Sequence, residues 1–413
     1  MELNTPCCIV GGGPAGLMLG FLLARAGVEV LVLEKHADFL RDFRGDTVYP
    51  STLELMHELG LLQEFLSRPH QRVERLAAQI GDTRVWIGDF RHLPTHAKFL
   101  ALMPQWDFLN FVAERASAYS SFRHRMQTEV VDLVQQNGAV CGVRAKTTNG
   151  EWTVHAGLVV ACDGRHSIAR QKAGLAVLDQ GAPMDVLWMR ISRQPRDPEQ
   201  TLGRIDRGRM LVMINRDQYW QCAFVIPKGT AELLKARGIE EFRDEITRLV
   251  PYFRDRVEEL KNWDDVKLLT VKVDRLQQWF KPGLLCIGDA AHAMSPIGGV
   301  GINLAVQDAV AAANILAAPL ASGRAPTPFL DRVQQRREFP TRVTQRLQIL
   351  AQDRVISRIL AANEQVKVPS LLKLMQRLPF LQRIPARLLG LGARPEHIKT
   401  PDIHRRTARG QPA

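Results

Sequence analysis

The sequence predicts an α/β protein: a Rossmann-like dinucleotide-binding domain, discontinuous along the chain, with an inserted β-sheet domain and a helical extension behind it. Three observations carry that prediction. The apolar strand Cys7-Cys8-Ile9-Val10 runs into Gly11-Gly12-Gly13-Pro14-Ala15-Gly16 and then a helical pattern, the G-x-G-x-x-G fingerprint in its strand–turn–helix setting. Two further apolar runs, 157–162 and 283–287, have the composition of buried parallel strands and end in Asp163-Gly164 and Gly288-Asp289. Between them the pattern changes to long strands, several of them alternating, as in a sheet with two unlike faces.

The elements follow in order. Gly11 permits the tight turn, Gly13 lets a pyrophosphate approach the backbone, and Gly16 lets helix and strand pack closely. The helix that starts at Pro14 and Ala15 offers unpaired N–H groups and a partial positive charge to phosphates. The apolar run 28–33 closes on Glu34, where a carboxylate accepts hydrogen bonds from both ribose hydroxyls and repels a 2′-phosphate; Lys35 follows. Residues 35–45 form a loop holding Arg41 and Arg44. Ser51 to Gly60 reads as a helix, with Ser51 as cap, Glu54 completing a capping box and Gly60 as the stop. Residues 72–80 and 84–90 alternate about Gly81-Asp82 as a β-hairpin.

Residues 105–117 return to helical spacing, and 129–133 and 140–146 to strand. Strands are then expected at 186–192, 209–214, 219–226 and 266–273, with a hairpin at 215–218 and an amphipathic helix at 239–250. A helix is expected from Asn303 to Leu316. After Asp331 the chain reads as helical and basic, up to a Pro/Gly-rich end expected to be mobile. This divides the chain into a nucleotide domain (1–71, 105–180 and 275–330), a β-rich domain (72–104 and 181–274) and a basic helical region (331–413).

Composition narrows the function classes. With 413 residues, 46% hydrophobic and 24% charged, the chain is long enough for two or three modules of an ordinary globular enzyme. The six cysteines show no CxxC and no metal-ligand spacing, so they read as reduced core thiols and no metal site is expected. The glycine turn interrupts the first apolar run too early for a signal peptide. The Ala-rich stretch 305–321 carries Gln307, Asp308 and Asn314, which makes it a buried helix instead of a membrane span. A cytoplasmic location is the expectation. The net charge of +12 is concentrated in the tail, where 17 Lys/Arg face 6 Asp/Glu from Asp331 onward. No nucleic-acid reading element accompanies that charge, so a nucleic-acid partner is not expected.

Two motifs beyond the fingerprint carry chemistry. Asp163-Gly164-Arg165-His166-Ser167 sits at the carboxyl end of a strand, where open α/β sheets bind their ligands. Gly288-Asp289-Ala290-Ala291-His292 is followed by Pro296 and by Gly298-Gly299-Val300-Gly301-Ile302-Asn303. Asp289 suits a sugar-alcohol hydroxyl, and a glycine loop opening a helix can stabilise negative charge on a flat, electron-accepting ring. His292, in a loop packed by alanines, reads as structural.

Across residues 5 to 330 these motifs, in this order, resemble the FAD-dependent aromatic hydroxylases, the p-hydroxybenzoate hydroxylase-like single-component flavoprotein monooxygenases. The resemblance implies a Rossmann-like, GR2-type FAD-binding domain with tightly but non-covalently held FAD. It implies that Glu34 binds the adenosine ribose and Asp289 the ribityl chain. Arg44 would stand near the phosphates, and Gln105 and the Val130 backbone would touch the cofactor. Asp163 would serve both FAD and the nicotinamide donor, and Pro296 with Gly299, Val300, Gly301, Ile302 and Asn303 would line the isoalloxazine.

There is no second G-x-G-x-x-G, so NAD(P)H is expected to dock transiently on the FAD domain as a co-substrate. The implied reaction is hydroxylation by O₂ through a flavin C4a-hydroperoxide. No protein acid or base is readable. Two sister chemistries find no match: flavin halogenases carry W-x-W-x-I-P, and geranylgeranyl reductases carry Y-x-W-x-F-P, from which 219–227 departs. An FAD oxidase or reductase of a lipophilic substrate, or a non-catalytic redox flavoprotein docked at a membrane, are the alternatives.

Trp188, Met189, Met213, Tyr219, Trp220 and Phe224 point to an apolar, aromatic or polycyclic substrate, with about half of them facing the flavin; Arg190 leaves a small acid open. The tail around 371–389 is basic and amphipathic, broken by Pro379 and Pro385. It reads either as a helix laid across the FAD domain or as a peripheral membrane contact. A homodimer rests on the resemblance alone.

Overall fold

The computed structural model describes residues 1–40, 47–199, 202–362, 364 and 366–404. In chain order its main elements are β1 (Glu2–Val10), α1 (Pro14–Arg25), β2 (Val30–Leu33), α2 (Pro50–Glu58), β3 (Arg75–Ile80) and β4 (Thr83–Asp89). Then come α3 (Gln105–Ala116), β5 (Phe122–Arg125), β6 (Thr128–Gln136), β7 (Ala139–Thr147), β8 (Gly150–Ala161), β9 (Met184–Ser192), β10 (Leu202–Asp206) and β11 (Arg209–Asn215). The chain continues through β12 (Tyr219–Pro227), α4 (Ile239–Leu249), β13 (Lys267–Leu269), β14 (Leu284–Cys286), α5 (Gly301–Ala321) and α6 (Thr327–Ala351). It ends in α7 (Ser370–Arg377) and α8 (Arg383–Leu391).

The first sheet has the parallel order β14-β8-β1-β2-β5, with β7 and β6 branching antiparallel from β8. One face is buried under α1, α2, α3, α5 and α6 in a single large apolar core; the other is closed by Trp279, Ala169 and Ala173 together with β6 and β7. Burial on both faces explains why β1, β8 and β14 read as continuous apolar runs. Helix α5 is long and apolar enough to cross a membrane, but 72% of its most apolar window is buried.

The second sheet has the order β13-β9-β12-β11-β10-β3-β4, so the hairpin β3–β4 joins strands more than a hundred residues later in the chain. Its outer face is sealed by α4 and the segment 250–266, with Leu187, Met189, Leu211, Met213, Trp220 and Phe224 beneath them. Its inner face presents Val186, Trp188, Val212, Ala223 and Val225.

Several local expectations need correction. Helix α2 starts at Pro50 with Tyr49 at the cap position and no side-chain cap, so Ser51 lies inside the first turn and there is no capping box. Proline at the first helical position sets the start instead, and Glu54 turns outward to His96. The strand expected over 266–273 is only Lys267–Leu269, because Val271 leaves the ladder to donate its N–H to Asp185 (2.9 Å). The helix expected from Asn303 to Leu316 runs from Gly301 to Ala321.

The tail differs most. Helices α7 and α8 lie mainly on β4 of the second sheet, and α8 also packs against α2, Tyr49 and Val300 of the nucleotide domain. Residues 392–402, expected to be mobile, are an extended strap packed on the first sheet's helices. Arg25 donates to the carbonyls of Thr400 (2.8 Å) and Pro401 (3.1 Å), and Ile398 donates its N–H to Glu58 (2.7 Å).

Candidate functional site

Four strand ends meet along one edge of the first sheet. The N–H of Gly11 donates to Leu33 O (2.8 Å), that of Cys162 to Val10 O (2.7 Å), and that of Ile287 to Ala161 O (3.0 Å). Glu34, Gly11, Asp163 and Gly288 therefore stand side by side at the carboxyl ends of β2, β1, β8 and β14, where open sheets bind ligands.

The first glycine turn is fixed by backbone against backbone. A Cβ on Gly16 would stand 2.0 Å from Gly11 O, and one on Gly11 would stand 2.5 Å from Cys162 O. Gly13, by contrast, faces open space. Helix α1 has no side-chain cap and carries Pro14 at its first position. The turn is closed toward the protein and open where an anion would approach unpaired N–H groups.

Glu34 is buried and oriented by this turn: its Oε2 accepts from Gly12 N (2.8 Å) and its Oε1 from His36 N (3.1 Å). Beside it stands His124, whose Nε2 is buried without a hydrogen-bond partner and would lie 3.3 Å from a Cβ on Gly12. Burial pushes the His124 pKa down, against the pull of Glu34. Val130 is buried in β6, and that strand is tied to the site by Thr128 N donating to Glu34 O (2.9 Å). Lys35 is exposed, and Gln105 is the half-buried first residue of α3. Arg41 and Arg44 lie outside the described residues.

Asp163 has one oxygen, Oδ2, accepting from Ala169 N (3.2 Å), while Oδ1 is buried with no partner. Burial raises its pKa, partly offset by hydrogen bonds from Ser167 and Ala169. The adjacent Gly164 has φ +83° and nothing within 4 Å of an added Cβ. Gly288 is wedged between helices, since a Cβ there would meet Ala15 Cβ at 3.1 Å and Ala305 Cβ at 3.3 Å. That wedge brings Asp289 next to the first glycine turn. An open glycine, an orphaned buried carboxylate oxygen, an unpaired imidazole nitrogen and a half-buried aspartate in one row fit the phosphates, ribose and polyol chain of FAD.

The second glycine loop is held differently. Gly298 and Gly299 have φ of +76° and +65°, and the nearest atoms to an added Cβ on either are side-chain atoms. The Tyr49 hydroxyl donates to Gly298 O, and burial pushes that phenol's pKa up. Asn303 directs both atoms of its amide to the same segment. Its Oδ1 accepts from Tyr49 N (2.9 Å) and Thr52 Oγ1 (2.7 Å), and its Nδ2 donates to Thr47 O (3.1 Å).

From the other side, helix α6 and the π-turn that follows present glutamines at positions 345, 348 and 352, a spacing that keeps them on one helix face. Gln348 accepts from Ser295 N (3.1 Å) and donates to Ser295 O (3.0 Å) and Ile297 O (2.9 Å). Gln345 donates to Asp274 O (2.7 Å) and Ala293 O (3.2 Å), and Gln352 donates to Ser295 Oγ (2.7 Å). The strand of backbone leading to Pro296 is thus clamped by side chains some fifty residues later.

Beneath the loop lies a buried ionic cluster. Asp308 accepts from Gly288 N (3.1 Å), pairs with His292 Nε2 (2.5 Å) and accepts from Arg337 Nε (2.8 Å). Arg337 also reaches Glu396 of the strap (3.3 Å). Burial pushes the Asp308 carboxyl up, but His292 and Arg337 outweigh it and hold it below the usual range. His292 is a structural member of this cluster.

Ile297 packs with Met184, Val225 and Ile356, which sets the inner face of the second sheet opposite the second glycine loop. Of the six side chains proposed for a substrate, Met189, Met213, Trp220 and Phe224 are sealed on the outer face; Trp188 and Tyr219 alternate to the inner one. Strand periodicity could not say which face α4 would cover. Arg190 stacks over the Tyr219 ring at 4.9 Å. The sequence reading missed Tyr49, His124 and the glutamine row. For the glutamines no local signal existed: the face that carries them also carries Arg337 and Thr341, so its periodicity is that of a solvated helix face.

A family model described as an FAD binding domain matches residues 4–347. Among the curated proteins, 6-methylpretetramide 4-monooxygenase of Streptomyces rimosus is 32% identical over 393 residues, spanning 93% of this chain and 92% of that one. Dialkyldecalin synthase of Streptomyces rugosporus is 27% identical over 420 residues, spanning 99% and 84%. Among solved structures, the anhydrotetracycline hydroxylase OxyS of Streptomyces rimosus superposes with a TM-score of 0.72 at 22% identity, covering 94% of this chain and 76% of that one; at that identity the likeness concerns the fold.

Proposed function

This chain belongs to the FAD-binding-domain family of FAD-dependent aromatic hydroxylases, and from that premise we propose that it uses NAD(P)H and O₂ to hydroxylate an apolar aromatic or polycyclic small molecule. When bound, FAD supplies the electron transfer and oxygen activation. The protein's own residues do the rest. The turn from Gly11 to Gly16 and the start of α1 hold the phosphates, with Gly13 as the point of approach. Glu34, already oriented by the Gly12 and His36 N–H groups, accepts the ribose hydroxyls, and His124 is in reach as a second ribose contact.

Asp289 orients the polyol chain. Asp163 offers its orphaned oxygen to cofactor and nicotinamide donor in turn. The N–H groups of Val300 and Gly301 at the start of α5 stabilise negative charge on the ring, while that of Gly299 is spent on Pro296 O (2.9 Å). The inner sheet face, with Trp188, Val212 and Ala223, holds the substrate's apolar body and keeps water out.

One observation supports this reading above the others: Gly288 wedged against Ala15 and Ala305, which lays the polyol aspartate beside the phosphate turn and starts the second loop from the same edge. The name of the 6-methylpretetramide relative favours a fused polycyclic phenol as substrate class. The test is a panel of polycyclic phenols offered to the holoenzyme with NADH or NADPH and isotopically labelled O₂. The expected result is substrate-stimulated NAD(P)H consumption with one labelled oxygen in the product. Peroxide as the sole oxygen product across the panel, or turnover without oxygen insertion, contradicts it and favours an oxidase or reductase.

A further inference from the structure

Helices α7 and α8 and the turn between them carry an exposed surface that neither the cofactor nor the substrate reading uses. Both helices lie on β4, so they sit together on one side of the second sheet. Their inner residues are buried: Met375, Gln382, Ala386 and Gly390. Leu389 reaches within 3.5 Å of a Cβ placed on Gly298. Outward, six large apolar side chains are left in solvent: Leu371, Leu374, Leu378, Phe380, Ile384 and Leu388, with Leu371 at 67% and Ile384 at 64% exposure. Scattered exposed leucines need no explanation, but a run of this kind in 22 residues does.

The charge pattern names the partner. Lys373 with Arg377, and Arg383 with Arg387, are i,i+4 pairs, each beside an apolar stripe of its own helix (Leu371/Leu374/Leu378 and Ile384/Leu388). All four cations are exposed, and residues 370–391 contain no Asp or Glu. A two-fold dimer through this face would set these cations against their own copies with no acid in the segment to offset them. A nucleic acid would satisfy the cations and leave the leucines wet. An anionic bilayer satisfies both: leucine, isoleucine and phenylalanine enter the acyl boundary while the long cationic stems reach up to the headgroups.

We propose that the α7–α8 face docks peripherally on an anionic lipid surface. The opposite side of α8 packs on the second glycine loop through Ala386 and Leu389, so docking would hold that side of the enzyme near lipid-dissolved substrate. The proposal does not depend on which reaction the site performs.

The test is flotation of the full-length holoenzyme with vesicles of phosphatidylcholine alone or mixed with phosphatidylglycerol. Binding is expected to the anionic vesicles only, weakening as salt rises from about 0.1 M to about 1 M. Replacing two cations (Lys373→Gln with Arg383→Gln) is expected to lower partitioning about tenfold or more. Phe380→Ser with Ile384→Ser is expected to abolish it even at low salt, with FAD content and NAD(P)H consumption in detergent-free solution unchanged. Any of three results overturns the proposal: equal recovery with and without anionic lipid, binding untouched by both double variants, or a dimer in light scattering that the Phe380/Ile384 variant dissociates.

Discussion

The two glycine loops of this chain do neighbouring tasks by different physical means. The first, Gly11 to Gly16, is locked by backbone packing: any side chain at Gly16 or Gly11 would drive into a carbonyl oxygen. The second, Gly298 to Gly301, meets mainly side chains: the Tyr49 hydroxyl donates to Gly298 O, Gln348 donates to Ile297 O just before the loop, and Leu389 packs beside Gly298. The first is suited to gripping a cofactor that stays. The second is set by groups from three distant parts of the chain, which suits a surface whose exact position governs chemistry.

The largest effect should come from breaking the first loop. Gly16→Ala places a methyl 2.0 Å from Gly11 O and is expected to cost more than about 4 kcal/mol, leaving no folded, yellow protein. Gly13→Ala enters open space, so it should fold and lose FAD affinity instead. Soluble yield and flavin absorbance after gel filtration separate the two.

Next comes the ionic cluster beneath the second loop. Arg337→Met leaves Asp308 and Glu396 short of their buried partner and should cost about 3–5 kcal/mol in urea denaturation. The pH dependence follows from the depressed Asp308 pKa. Its contribution is fully present above the unfolded carboxylate value of about 4 and is lost as pH falls through the lower folded value. Asp308→Asn should therefore lower stability at neutral pH and flatten the acid limb of the stability curve; an unchanged acid limb would show that other carboxylates carry it.

Gln348→Ala removes three hydrogen bonds to the backbone on either side of Pro296 and should loosen the loop by about 2 kcal/mol. FAD should be retained, while NAD(P)H oxidation without product formation rises. Trp188→Ala is milder: the KM of an apolar substrate should rise about tenfold with flavin content unchanged, from lost apolar contact. An unchanged KM would mean that the substrate sits elsewhere on the inner face.

The same contrast explains what could be read from the sequence. Much of what depends on local periodicity and backbone geometry was legible: the parallel strands, the first turn, and the places of Glu34 and the aspartates at strand ends. Side-chain clamps from far along the chain were not, because Gln345, Gln348 and Gln352 look like the polar residues of any exposed helix until the helix is docked. The cap of α2 was misread for a related reason. Ser51 and Glu54 satisfy the capping-box pattern, but Pro50 takes the first helical position and Asn303, 254 residues beyond Tyr49, accepts the Tyr49 N–H. Strand alternation showed that the second sheet has two faces, yet only α4 decides which one is sealed. The strap was invisible because Pro and Gly promise mobility, whereas Arg25, Glu58 and Arg337 tie its backbone down.

On the proposal made above, the first loop and its row of acids hold the cofactor while the second loop governs what the reaction yields. This division is tested most directly by measuring, in Glu34→Ala and Gln348→Ala, both the FAD dissociation constant and the labelled oxygen inserted per NAD(P)H consumed. Glu34→Ala is expected to weaken FAD binding and, once saturated with FAD, to couple as the wild type does. Gln348→Ala is expected to bind FAD normally and to waste NAD(P)H. Equal loss of FAD in both variants, or normal coupling in Gln348→Ala, would contradict it.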